Sequence, residues 1–174
     1  GDSGGRPPWR RMERGGMFRG INSATLDSKG RMALPARVRD SLASVSEGIL
    51  VVTIDTKDRC LMLYPLPYWE EVQRRLENLP NLNPRSRTLQ RLLIGHATDL
   101  EPDASGRVLL PQKLRDYASL DKKVVLVGQG NKVEIWSEPH WEASMEDWLS
   151  DDSVAELADA EKLLRRGLQL GRGL

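Results

Sequence analysis

Asp27–Asp40 reads D-S-K-G-R-M-A-L-P-A-R-V-R-D, and Asp103–Asp116 reads D-A-S-G-R-V-L-L-P-Q-K-L-R-D. At one constant offset, Asp27/Asp103, Gly30/Gly106, Arg31/Arg107, Leu34/Leu110, Pro35/Pro111, Arg39/Arg115 and Asp40/Asp116 are identical. Arg37/Lys113 keep charge and Val38/Leu114 keep apolarity. A slightly shorter offset then pairs Pro67 with Pro139, Trp69 with Trp141 and Glu70 with Glu142. Self-similarity of this kind marks a duplicated supersecondary unit.

Working outward, each copy gives the same coarse pattern. A first strand (about Gly20–Leu26, and about His96–Leu100) leads into an Asp-x-x-Gly-Arg turn. A short strand such as Arg31–Ala33 follows, then a proline that suits the first turn of a small helix. Val38, Leu42 and Val45 share a helical face, as do Leu114 and Tyr117 with Ala118. β-Hairpins come next: Ile49–Thr53 with Leu61–Tyr64 around Asp55–Asp58, and Val124–Val127 with Val133–Trp136 around Gly128–Asn131. Each unit closes with a helix, striped by Trp69, Val72, Leu76 and Leu79 or by Trp141, Met145 and Trp148.

Between the copies, Pro84–Gly95 reads as a helix with Leu89, Leu92 and Leu93 apolar and Gly95 as its cap. Beyond Leu149 the chain turns acidic, and Val154, Leu157 and Leu164 suit a weak amphipathic helix before a Gly-Arg tail. The expected organisation is a disordered leader or tag over 1–16, a first half over 17–80 and a connecting helix over 81–95. A second half over 96–149 and a partly helical or disordered acidic tail over 150–174 complete it. A unit of four short strands and a small helix has too little apolar surface to stand alone, so two copies should share one core.

Composition narrows the function classes. The 174 residues are 39% hydrophobic and 29% charged, neither disordered nor membranous, and Ile49–Val52 is far too short to span a bilayer. A single cysteine, Cys60, excludes an internal disulfide framework and fits a reducing cytoplasm. With His96 and His140 it builds no metal site of the usual ligand spacing, so no metal and no cofactor are expected. Net charge is only +1, and Arg6, Arg10, Arg11 and Arg14 concentrate positive charge in the leader, so any nucleic-acid contact in the body must be local.

Several further segments fall in order: M-F-R-G at 17–20, L-Y-P-L-P-x-W at 63–69, and Q-R-L-L-x-G-H-A at 90–97. With the paired Asp-x-x-x-Arg motifs, the chain from Met17 to about Leu149 resembles the MraZ family, bacterial relatives of the AbrB-type swapped-hairpin DNA-binding proteins. The resemblance implies an α+β fold in which two tandem swapped-hairpin AbrB-like β units form one pseudo-symmetric composite domain with flanking helices. It implies self-association into a closed ring that binds double-stranded DNA. The target would be short G-rich repeats in the promoter of a division and cell-wall gene cluster. Repression would be the outcome, in the cytoplasm at the nucleoid, with no membrane and no small-molecule substrate. The motif arginines tied to DNA contact fall on Arg31 and Arg107. Where the first motif has Ser28 and Lys29 the second has Ala104 and Ser105, which implies weaker phosphate contact or a mainly structural role.

Arginine suits guanine because its planar fork donates two hydrogen bonds to O6 and N7. Gly30 and Gly106, immediately before the arginines, would let each turn approach a duplex closely. Asp27 and Asp103 would orient the guanidinium or cap the turn, and Lys29 and Arg19 suit phosphate. The structural alternative is a plain turn with an internal Asp–Arg ion pair. Arg37, Arg39, Lys113 and Arg115 would ordinarily be a solvated helix face. Arg85, Arg87 and Arg91 are equally ambiguous, the tryptophans suit core or subunit contacts, and His140 is incidental. Rival functions are an AbrB-type antitoxin and a ring scaffold that binds proteins through its acidic tail. Catalysis is the weakest option. There is no Gly-rich phosphate loop and no nucleophile elbow, and each of Asp27 and Asp103 is followed by an arginine that would occupy it.

Overall fold

The computed structural model describes residues 18–43 and 48–172. The expected leader over 1–16 and the helical position of Val45 lie outside the described residues.

The first copy runs β1 (Ile21–Thr25), β2 (Arg31–Ala33), α1 (Ala36–Ala43), β3 (Leu50–Ile54), β4 (Leu61–Pro65) and α2 (Leu66–Glu77). After α3 (Pro84–His96), the second repeats the order as β5 (Thr98–Leu100), β6 (Arg107–Leu109), α4 (Gln112–Tyr117), β7 (Lys123–Gly128), β8 (Val133–Ser137) and α5 (Glu138–Trp148). A last helix, α6, spans Asp151–Arg172.

Strand pairing exchanges the copies. Among the described residues, one sheet has six strands in the order β1-β7-β8-β4-β3-β5, and a second pairs β2 with β6. Hairpins β3–β4 and β7–β8 sit at the centre, joined antiparallel by β4 and β8 with Met62 opposite Glu134. The first strand of each copy then adds to the hairpin of the other: β1 to β7 with Ile21 opposite Val127, and β5 to β3 with Leu50 opposite Leu100. The fold is α+β, with two swapped-hairpin units in one pseudo-symmetric body.

Continuous apolar runs in the hairpin strands have a simple cause. Every residue of β3, β4 and β8 is buried, so both faces of the sheet's middle are covered. Val38 and Leu42 of α1 and Leu114 of α4 pack into the same core as Met32, Leu61, Leu63, Leu110 and Ile135. Tyr68, Trp69 and Leu76 of α2 are buried, and the Trp69 ring lies 5.7 Å from that of Tyr64. Thr53 Oγ1 donates to the Leu93 carbonyl at 2.7 Å, and Gln90 Nε2 to the Leu76 carbonyl at 2.7 Å, which ties α3 to β3 and α2.

Two local expectations need correction. Gly95 does not cap α3, which continues through His96 and is capped by Ala97 with φ −62° and ψ 129°. The backbone passes there straight into extended β5, so no left-handed residue is needed. The closing helices also differ. The stripe of α2 is largely buried, whereas α5 has no buried residue. Trp141 and Trp148 instead stack edge to face with centroids 5.6 Å apart.

The chain divides into compact units at 1–138 and 139–174, so α6 belongs to the second. From Asp151 to Gln169 all of its residues but Ser153 are exposed, Val154, Leu157, Leu163, Leu164 and Leu168 among them. Among the described residues no helix is long and apolar enough to cross a membrane.

Candidate nucleic-acid interface

Each Asp-x-x-Gly-Arg segment is a closed turn built on one carboxylate oxygen. Asp27 Oδ1 accepts from the Lys29 and Arg31 amides, both at 2.9 Å. Asp103 Oδ1 does the same for Ser105 and Arg107, also at 2.9 Å. Backbone bonds finish the loop, Gly30 N–H to the Asp27 carbonyl at 3.1 Å and Gly106 N–H to the Asp103 carbonyl at 2.9 Å. Amide donation, from Arg31 above all for Asp27 and from Arg107 for Asp103, holds both carboxyls below their ordinary range against a smaller opposing desolvation. Of the two tasks open to these aspartates, both perform the capping.

The glycines are required for two reasons. Gly30 has φ +89° and Gly106 φ +76°, in the left-handed region. Their missing side chains also make room for the opposite repeat. A Cβ on Gly30 would lie 2.6 Å from Arg115 Cζ, and one on Gly106 would lie 2.5 Å from Arg39 Cδ. Arg39 and Arg115 are therefore not a plain solvated face, because each lies across the turn of the other copy. Arg115 is further fixed by Nε donating to the Leu110 carbonyl at 3.0 Å and Nη2 to Gln112 Oε1 at 3.0 Å. Reciprocal backbone bonds complete the lock, Leu34 N–H to the Gly106 carbonyl (3.0 Å) and Leu110 N–H to the Gly30 carbonyl (2.9 Å). The sequence offered no local signal of this contact beyond the repetition of Gly and Arg in both copies.

Both turns feed one ribbon. In β2–β6, Arg31 stands opposite Leu109, Met32 opposite Val108 and Ala33 opposite Arg107. Met32 and Val108 point into the core at 0% and 1% exposure. Strand alternation therefore sends Arg31, Ala33, Arg107 and Leu109 to the outer face. The two arginines differ in their partners. Arg107 Nε is paired with Asp103 Oδ2 at 3.1 Å, whereas the Arg31 guanidinium makes no hydrogen bond or ion pair to another described residue. The internal Asp–Arg pair of the structural alternative thus exists in the second copy.

Lys29 is exposed on the first turn. Arg19 is not brought to the ribbon. It precedes β1, roughly 16 Å of extended strand away from the turn, and lines a cleft with Arg37, Asn22 and Asp40.

The spacing of cysteine and histidine carries no signal of a second polar cluster, which is built mainly from carboxylates. Asp55, Cys60 and Glu134 bring their ligand atoms within 4.8 Å of one another. Glu134 Oε1 accepts from Gln129 Nε2 at 3.0 Å and Trp136 Nε1 at 3.1 Å, and Cys60 Sγ donates to Asp55 Oδ2 at 3.7 Å. Burial pushes the Cys60 thiol and the Glu134 carboxyl up, and Tyr64 nearby is pushed up to about 12.

Two intertwined copies of one strand–strand–helix–hairpin–helix unit, presenting arginine-tipped turns on a shared ribbon, define a swapped-hairpin protein of the AbrB type. Comparison with known sequences then specifies the family. The family model described as "MraZ protein, putative antitoxin-like" matches twice, at residues 17–92 and 93–165. The chain is 57% identical over 141 residues to the transcriptional regulator MraZ of Marinomonas sp. (strain MWYL1), covering 81% of this chain and 93% of that protein. The protein of that name from Coxiella burnetii (strain Dugway 5J108-111) is 55% identical over 136 residues, covering 78% of this chain and 90% of the relative. That from Alkalilimnicola ehrlichii is 59% identical over 135 residues, with the same two coverages of 78% and 90%. The chain belongs to the MraZ family of transcriptional regulators.

Proposed function

We propose that the β2–β6 ribbon reads double-stranded DNA, and that the protein is a sequence-specific repressor of a division and cell-wall gene cluster. One observation carries this: two arginines from two turns stand on the same outward face of a two-stranded ribbon, one of them without a partner among the described residues. The major groove, about 12 Å wide, admits a two-stranded ribbon, and an arginine there pairs with guanine O6 and N7.

Arg31 is the principal base reader and Lys29 holds phosphate. Arg107 contributes less, because reaching a base means leaving Asp103. Arg19 meets phosphate further along the duplex. The body's low net charge keeps nonspecific attraction small. A closed ring of copies presents the ribbon repeatedly and selects promoters carrying several short G-rich repeats. Linked sites gain roughly 10²–10⁴ in avidity over one site alone.

Arg31→Ala tests the assignment on the DNA upstream of the protein's own gene. Loss of one bidentate arginine costs about 1–3 kcal/mol per base pair read, multiplied over the ring, so specific retention in a gel shift disappears. Circular dichroism and sedimentation mass remain those of the wild type, and Arg107→Ala is milder. Normal retention by Arg31→Ala overturns base reading by this residue.

A further inference from the structure

Arginines are not the whole of the ribbon's outer face. Leu109 is 52% exposed there, directly across from Arg31. The core does not need it, because the inward positions of both strands are filled by Met32 and Val108. In the other copy the matching outer position is Ala33, which faces Arg107. The pseudo-symmetry is therefore broken where the two motifs would meet bases: arginine beside leucine in one half, arginine beside alanine in the other.

We infer that Leu109 is a specificity-determining residue that packs on the C5-methyl of a thymine next to the guanine taken by Arg31. This rests on the ribbon being the DNA-reading face. Side chains directly opposite on an antiparallel pair have Cβ atoms about 4.5–5.5 Å apart, so Leu109 and Arg31 enter the groove side by side. The thymine methyl is the apolar group that the major groove offers, and an aliphatic side chain is its complement. Ala33 ends at Cβ and stops short of the same depth beside Arg107. The two half-sites are thus read differently: guanine with a neighbouring thymine on the Arg31 side, and guanine with no demand for a methyl on the Arg107 side.

The test removes the methyl group alone. Duplex from upstream of the protein's own gene is prepared with thymine and, separately, with uracil throughout, and binding of the full chain to both is measured by fluorescence anisotropy. Wild type should bind the uracil duplex about fourfold more weakly for each thymine methyl that Leu109 covers, the transfer of one methyl group from water. Leu109→Ala should bind both duplexes equally, at about the affinity of wild type for the uracil form. The inference is overturned if wild type does not distinguish the duplexes, or if Leu109→Ala keeps the wild-type ratio. It is equally overturned if Leu109→Ala loses that ratio only together with a fall in sedimentation mass, which places the leucine between copies of the chain. Arg31→Ala on the thymine duplex reads the ribbon separately: undiminished binding by that variant sinks the ribbon's role, whereas weakened binding beside an unchanged Leu109→Ala ratio sinks only the role of the leucine.

Discussion

One carboxylate oxygen organises each turn, and its protonation should be visible. Asp27 and Asp103 have depressed pKa values in the folded protein, chiefly through the Arg31 and Arg107 amides, while an unfolded chain titrates near 3.8. Their contribution is therefore complete above the unfolded value and is lost as pH falls through the lower, folded one. Backbone amide resonances of Lys29, Arg31, Ser105 and Arg107 should hold still down to about pH 5 and move only well into the acid range. An Arg31 amide titrating at or above the ordinary carboxylate value removes Asp27 as the cap. Asp27→Asn, which keeps an acceptor oxygen, should disturb the turn less than Asp27→Ala. The turn itself was legible, because Asp and Gly at this spacing follow from short-range chemistry. The arginine stacked on each glycine was not, since it comes from a residue remote in sequence.

At the level of elements, periodicity identified the strands and short helices well. The hairpins stood out as apolar runs because both their faces are covered, and the repeated proline marked α1 and α4. Partner choice was hidden: nothing in the run Arg31–Ala33 says that it pairs with Arg107–Leu109, and only the resemblance implied a swap. Gly95 misled because a helix can leave directly into a strand without a left-handed residue. The closing helix of the second copy misled because similar stripes, on α2 and α5, are buried to different degrees. Locking of the ribbon between copies gives a thermodynamic test. Gly30→Ala forces a side chain into left-handed backbone, at roughly 1–2 kcal/mol, and into Arg115 as well. Thermal unfolding should fall by about 3–8 °C for a chain of this size. Adding Arg115→Ala relieves the clash but not the backbone strain, so the double variant should lose less than the two single effects combined. Strict additivity would mean that the packing of Arg115 across the repeats carries no energy.

Over the whole molecule, duplication decides stability. Each copy supplies a hairpin to the central sheet and a strand to the outside of its sibling, so neither can complete a sheet alone. Residues 17–92 and 93–165, expressed separately, should each lack cooperative unfolding in circular dichroism, and equimolar mixing should restore it with a midpoint that rises with concentration. A cooperative transition in either half by itself would show that the exchange is dispensable. The repeat was the most legible feature of the sequence, yet it did not disclose how far the copies diverge outside the shared core. The pairing of β1 with β7 also bears on how the chain is made. On the ribosome β1 emerges well before β7 and must wait for that strand before its edge is satisfied. An open edge on a nascent chain invites neighbouring chains on the same message. The polar composition of Ile21–Thr25, with Asn22, Ser23 and Thr25 all exposed even after folding, suits a strand that spends its early life unpaired in water.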